Sequence, residues 1–448
     1  NAALDEDPDE LQAFRAIDEI LTRARNWTAQ AEAYRRMLER LRGRGNPELE
    51  YRLLANLGEI FRSRLKQNED AIAVFEQAAV LKPAERRTHE ILAQLYEVTG
   101  DQHDKAVAQH QAIVSGDPLG AASAESYRAM WRLYRQMGDL DRAFIVSSVM
   151  VGLGLADGEE RAFFENNLEP SLPWFKGTIE PLRWESHLLA KGENTLLGRI
   201  LQVLFQGLGA ELGAKELKDV GLKKKSEIDL DQKLLFVNVY KAVTKALGPL
   251  PHKVYRDENP TGLKLEFLTP PALVVGSDML TGHDEREVAF FIGRQLAYLN
   301  PMHFLAAVKN MTELKVFLAA VLKFCRPDTQ LGAGADVVIH LVRLIERRMP
   351  QQQKNQMATL VEELASRYPA MDFHKMFEEF FQSIELSSLR AGALVSGSVP
   401  TVLGILQAED VSFSGMPQRA RLEEVVRFAV SEDHFVLRRA LGLAVEAP

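Results

Sequence analysis

The stretch LGEIFRSRLKQNEDAIAVFEQAAVLKP, residues 57–83, returns 35 positions later as LAQLYEVTGDQHDKAVAQHQAIVSGDP, residues 92–118. Leu57, Gly58, Phe61, Ala71, Phe75, Ala78 and Pro83 map by that offset onto Leu92, Ala93, Tyr96, Ala106, His110, Ile113 and Pro118. Five of the seven keep their character, while His110 stands where an aromatic is expected and Ile113 where a small residue is expected. A third copy, stretched by GAASA at 120–124, supplies Met130, Trp131, Tyr134 and Ala143. An earlier, poorer copy has Ile17, Leu21 and Tyr34, with Gln30 and Met37 at its two small positions. A period of this length with apolar residues at helical spacing predicts helix pairs that bury their apolar faces by stacking on neighbours. Gly58 or Ala93 lets the two helices of a pair approach closely, and Phe61, Tyr96 or Tyr134 fills the space between pairs. Thr99-Gly100-Asp101 and Met137-Gly138-Asp139 fall at the turns within pairs, where Gly takes positive φ and Asp caps the next helix.

These positions resemble the signature of the tetratricopeptide repeat, over residues 8–155. The resemblance implies an α-solenoid of about four hairpins whose first helices line a concave groove for protein or peptide ligands. By repeat phase, Arg52, Ala55, Glu59 and Arg62, then Arg87, Glu90, Gln94 and Glu97, then Arg128, Arg132 and Arg135 face that groove. Each is also readable as an ordinary solvated position.

Composition bounds the rest. The chain has 448 residues, of which 46% are hydrophobic and 26% charged, enough for two or three globular units. Its 54 basic and 62 acidic residues give a net charge of -8, which argues against a general nucleic-acid binder. No apolar run is long enough for a bilayer span. The single Cys325 excludes internal disulfides and Cys-rich metal centres. The opening NAALDEDPDE lacks Met and any signal pattern, which leaves open whether residues precede it; the expectation is a cytoplasmic protein.

The repeat ends near Asp157, and the Pro-rich run NNLEPSLPWFKGTIEP predicts a linker over 156–184 before a second domain at 185–448. Leu196, Leu197, Ile200, Leu201, Leu204, Phe205 and Leu208 predict an amphipathic core helix. The following GLGAELG lacks the spacing and preceding strand of a nucleotide loop. Lys215, Lys218, Lys223, Lys224 and Lys225 form a local basic cluster, read as solvated. From 231 the order is a helix (DQKLLFVNVYKAVTKALG), a Pro-bounded connection, two strands (LKLEFLTP, PALVVGS) and a helix, EREVAFFIGRQLAYL.

That order, and PALVVGSDML followed by DEREVAFFIGRQLAYL, resembles the HtpX and CAAX-prenyl-protease family of zinc metallopeptidases over roughly 185–445. The implied fold is a mostly helical α+β, zincin-like domain with a small sheet. Its HExxH helix needs two imidazoles and a Glu base beside one Zn²⁺. The resemblance sets Arg294, Gln295 and Tyr298 at those three positions, with Leu296 and Ala297 between. Arg cannot ligate a cation and Gln cannot take the proton. The family's third ligand corresponds to Glu385, in ELSSLRAG at 385–392, where Leu389 replaces the family's Asp. A family-like phrase at His434 to Leu443 closes the domain.

Elsewhere, His283 and His303 stand too far apart on a helix to share a metal, and His252 and His374 have no ligand-spaced neighbour. Cys325 reads as packing. The expectation is therefore a mainly α chain acting as a non-catalytic, metal-free and cofactor-free scaffold or adaptor of a bacterial assembly, with protein or peptide partners and room for self-association. The alternatives are a regulatory binder of a peptidase or its substrates, and an enzyme with an unrecognised site in the cleft. Arg294 and Glu385, placed by the resemblance as former ligands of one ion, are expected to pair directly, with Tyr298 beside them.

Overall fold

A computed structural model describes residues 11–172, 175–330, 335–370 and 372–445. Residues 8–10 of the expected repeat array, Pro173 and Trp174 of the expected linker, and residues 446–448 lie outside them. The chain is mainly helical, with one small three-stranded sheet. It divides into two compact units, the first ending at Val146 and the second beginning at Ser147.

The first unit holds α1 (Leu11–Arg23), α2 (Trp27–Leu41), α3 (Pro47–Glu59), α4 (Asn68–Leu81), α5 (Arg86–Thr99), α6 (His103–Gly116), α7 (Ala124–Gln136) and the start of α8 (Leu140–Gly152). Starts are marked by capping residues: the Asn26 and Asn46 side chains accept from Ala29 N and Leu49 N, and Pro47 opens α3. From α1 to α7, each helix packs on the next in sequence. The repeat positions form the core: Leu57, Gly58, Phe61, Ala71, Phe75, Ala78, Leu92, Ala93, Tyr96, Ala106, His110 and Ile113 are all buried. A Cβ on Gly58 would stand 2.6 Å from the Phe75 ring, so a larger residue between α3 and α4 there would have to displace that ring. Gly100 and Gly138 take φ of 79° and 75°. Asp139 accepts from Arg142 N at 3.0 Å as expected, whereas α6 is preceded by Gln102 and no side chain caps it.

Gln30 and Met37, which break the pattern in sequence, are buried as well. Gln30 Nε2 donates to Asp18 and Thr22 across α1 and α2, which lets a polar residue occupy a small-residue position.

In the second unit follow α9 (Gly158–Asn167), α10 (Thr195–Leu208), α11 (Leu235–Leu247), β1 (Lys253–Arg256), β2 (Leu263–Glu266), β3 (Ala272–Val275), α12 (Glu285–Tyr298), α13 (Phe304–Val308), α14 (Met311–Cys325), α15 (Ala335–Arg348), α16 (Gln351–Arg367), α17 (Phe373–Ser396), α18 (Val399–Ala408), α19 (Gln418–Ala429) and α20 (Glu432–Leu441). The sheet order is β1-β3-β2, with β1 parallel and β2 antiparallel to β3. Central β3 is buried on both faces: Leu273 and Val275 enter the main helical core, while Ala272 and Val274 meet Tyr255 and Leu222 on the other side. Strand β1 lies in the stretch expected as a connection. Its four residues alternate too briefly to register as a strand, and Val254 and Tyr255 are buried by pairing with a partner that comes later in the chain.

The expected linker is not a linker. Phe175, Ile179 and Trp184 are buried in the second unit's core, and Trp184 Nε1 donates to the Leu247 carbonyl at 2.9 Å. Prolines and glycines there mark irregular chain covering a core. The boundary also differs from residue 155: it falls within α8, whose end belongs to the second unit because a Cβ on Gly152 would stand 2.9 Å from Leu403. No described helix is long and apolar enough to cross a membrane.

Candidate functional site

Helices α12 and α17 make the most extensive helix contact of the second unit. An Asp284–Glu287 capping box starts α12, and Asp372 caps α17. Two glycines set their separation. A Cβ on Gly293 would come within 2.5 Å of Val395 Cγ2 and 2.9 Å of Gly392 Cα, and one on Gly392 within 2.8 Å of the Phe290 carbonyl. Backbones therefore touch where the helices cross.

This register decides where the resemblance-derived residues go. Arg294 runs beside Gly392, whose added Cβ would meet Arg294 Cγ at 2.9 Å. Tyr298, one turn on, reaches Ser388 Oγ at 3.1 Å. Glu385 lies seven residues before Gly392, about 10 Å back along α17. The expected Arg294–Glu385 pair is consequently not made. Arg294 Nη1 instead donates to Glu409 Oε1 at 2.8 Å, and Arg421 Nη1 donates to Glu409 Oε2 at 2.6 Å. One carboxylate thus bridges two guanidinium groups. Gln295 is half-buried.

Glu385 is wholly buried and is satisfied by the chain itself. Its carboxylate accepts from Phe413 N at 3.3 Å, Ser414 N at 2.8 Å and Ser414 Oγ at 2.5 Å. Successive backbone N–H groups aimed at one carboxylate form a small anion cradle. The Phe413 ring packs on Tyr298 and Phe381, with centroids at 4.9 and 5.7 Å. Burial holds the Tyr298 hydroxyl well above its ordinary pKa, so the phenol stays protonated and acts as a donor or acceptor, not as a base.

A second buried cluster has no counterpart in the sequence reading. His303 Nδ1 lies 3.1 Å from the Ala297 carbonyl, which only accepts, so this nitrogen carries a proton. Nε2 lies 2.7 Å from Glu193 Oε1, and Ser387 Oγ, accepting from Ala190 N, donates to Glu193 Oε2 at 2.6 Å. Both charged-type side chains are sealed from solvent, with exposures of 0% and 1%. Ser387 touches the carboxylate and not the imidazole, so the serine–histidine contact of a nucleophilic triad is not made and the cluster ties chain segments together. A third buried pair, Arg390 with Glu424 at 2.6 Å, also binds the Leu189 carbonyl. Its signal in sequence, an Arg on an otherwise apolar helix face, names no partner.

The remaining candidates are dispersed. His283 meets Glu287, His374 meets Glu378, and His252, half-buried, meets Tyr240. Among the described residues, no group of three or more His, Cys, Asp or Glu is placed to hold a metal ion. Burial and nearby Glu362 push the Cys325 thiol up to about 11, away from thiolate reactivity. Lys215 and Lys218 pair with Glu266 and Glu216.

In the first unit, the expected groove residues pair mostly within their own helices. Arg62 grips both oxygens of Glu59, Arg86 binds Glu90, Arg128 binds Glu125, and Arg135 lies over the Trp131 ring at 4.6 Å. Glu97 reaches the next helix, at His110 Nε2. Arg52, Gln94 and Arg132 are exposed, as is Arg87, while Ala55 is half-buried. Comparison with known proteins brings no match: neither a family model nor a curated protein aligns with the chain.

Proposed function

We propose that the chain is a non-catalytic polypeptide-binding scaffold, built from a tetratricopeptide-type array and a metallopeptidase-like domain without the family's catalytic groups. The observation that carries the first half is the burial of the repeat positions, with Gly58 in contact with Phe75. Stacked helix pairs of this kind leave one helix face per pair to solvent, and Arg52, Gln94 and Arg132 supply exposed polar side chains there. Residue chemistry supports the second half. Arg294, Gln295 and Tyr298 offer a permanent cation, an amide and a protonated phenol, none of which ligates zinc or activates water. Glu385 is engaged by its own chain.

Two measurements test the reading. Binding of the full chain to a peptide array is expected to weaken in the Arg52→Glu/Arg132→Glu variant at unchanged melting temperature; identical binding by both proteins removes the groove. Elemental analysis after metal-replete purification is expected to find little zinc, whereas about one Zn²⁺ per chain surviving dialysis overturns the non-catalytic assignment.

A further inference from the structure

Residues 409–417 join α18 to α19 with no helix or strand, and no backbone–backbone hydrogen bond ties residues 410–416 to other described residues. Three side-chain anchors hold them: Glu409 on Arg294 and Arg421, the Phe413 ring on Tyr298 and Phe381, and Phe413–Ser414 on the Glu385 carboxylate. Packing along the segment is light: Val411 is 79% exposed, and even the anchoring Phe413 is 39% exposed. Gly415, at φ 77°, and Pro417 stand at its exit. Beside it opens a cavity of about 430 Å³, lined by Lys309, Met311, Phe381 and Gln382 as well as Phe413 and Ser414.

Every donor on Glu385 is one that an ordinary polypeptide carries, namely two consecutive backbone N–H groups and a hydroxyl. The fourth contact is an aromatic ring on two aromatic walls. We infer that this is a peptide-binding site occupied in cis by a strap, residues 409–416, and that an extended segment of a partner containing an aromatic residue followed by Ser or Thr takes its place when the strap lifts. This rests on reading the chain as a polypeptide binder, and it assigns a site in the second unit that is separate from the groove of the first. A buried carboxylate without donors is costly, so the opened strap is short-lived until another chain supplies them. Segments held by few contacts open locally at far less cost than the core around them.

The probe is the synthetic peptide EDVSFSGM, the sequence of residues 409–416, carrying a fluorophore. In the full chain with Phe413→Ala and Ser414→Gly, anisotropy is expected to show binding at least about tenfold tighter than to wild type, because the closed strap reduces the competent fraction. Replacing Phe and its following Ser in the peptide by Ala, or adding Glu385→Gln to the protein, is expected to abolish it. Equal affinity for both proteins, or no binding to a strap variant that melts as wild type does, overturns the inference. Should the variant unfold, hydrogen exchange in the wild-type chain decides. The Phe413 and Ser414 amides are expected to exchange about 100-fold faster than that of buried Leu389, whereas equal rates mean that the strap opens only with the core and overturn the proposal. Either failure leaves the first-unit groove to its own array experiment.

Discussion

The two units bury different things. Among the described residues of the first, the buried polar side chains are Gln30, Thr88, His89, His110, Ser123 and Ser126, with Asp141 the single acid. In the second, Glu160, Glu385, Arg390, Arg421, Glu424 and Arg438 are all buried. Their ties differ in reach. Tyr96 bonds Glu76, 20 residues away, across α5 and α4, and Tyr51 bonds Thr88, 37 away, across α3 and α5, so both stay within about one repeat length. His303 and Glu193 are 110 residues apart and Arg294 and Glu409 are 115 apart. In the first unit successive helices pack on one another, and small and aromatic side chains close those short-range contacts. The second unit folds distant segments onto one core, and a buried ion pair penalises any arrangement that leaves a charge unpartnered.

The largest expected effect follows from that contrast. Glu424→Ala strands the Arg390 guanidinium, whose side chain is 7% exposed, and is expected to destabilise by about 3–5 kcal/mol in chemical denaturation. Replacing Arg390 and Glu424 together by Met is expected to cost clearly less. In the first unit, Asp70→Ala removes the half-exposed partner of Arg35 and is expected to change stability by under about 1 kcal/mol. Equal losses for Glu424→Ala and Asp70→Ala would erase the difference between the units.

Glycine contacts give the intermediate effect. At Gly293 an added methyl meets the backbone of Gly392, which cannot move without shifting a helix, so Gly293→Ala is expected to cost about 1–3 kcal/mol despite the better helix propensity of Ala. At Gly58 the methyl meets the Phe75 ring, and a side chain gives way more readily than a backbone. The Gly58→Ala cost is therefore expected to be smaller, read from melting of the two variants side by side. A larger loss at Gly58 would mean that the helix pairs of the first unit are the more rigid.

The same contrast explains what the sequence disclosed. A 35-residue offset is a one-dimensional signal, and it located the buried positions of the first unit down to the two weak ones, His110 and Ile113. Helices α11 and α12 and strands β2 and β3 were likewise legible, because capping residues and apolar spacing are local. What escaped depends on register between distant segments. Nothing in residues 285–299 says that Gly293 will cross Gly392, and that crossing is what carries Arg294 away from Glu385. Nor could Glu409, Phe413 or Ser414 be recognised as partners of Arg294, Tyr298 and Glu385, since they lie in an unpatterned connection. The linker reading failed for a related reason. Prolines mark irregular backbone, and irregular backbone also covers cores, as Phe175 and Trp184 do.

The smallest effect tests whether a neutral, half-buried group of the second unit adds acid sensitivity. His252 is half-buried, with Nδ1 at 2.7 Å from the Leu250 carbonyl and Nε2 at 2.9 Å from the Tyr240 hydroxyl. The carbonyl only accepts, so Nδ1 carries the proton and Nε2 accepts from Tyr240, whose own pKa burial holds above its ordinary value. Protonating Nε2 would place a charge out of water and cancel that hydrogen bond, and burial accordingly holds His252 below the ordinary 6.5. The unfolded chain keeps the ordinary value. As pH falls below about 6.5, the unfolded state takes up a proton that the folded state refuses, so stability drops until the folded-state pKa is reached. Above about 6.5 neither state binds it, and this contribution is whole and constant. His252→Gln is expected to remove that part of the slope, seen as a flatter dependence of the denaturation midpoint on pH just below about 6.5, with little change above it. A variant whose slope matches wild type throughout would show that His252 charges in the folded protein as freely as in the unfolded one, and that its contacts with Leu250 and Tyr240 yield to the proton.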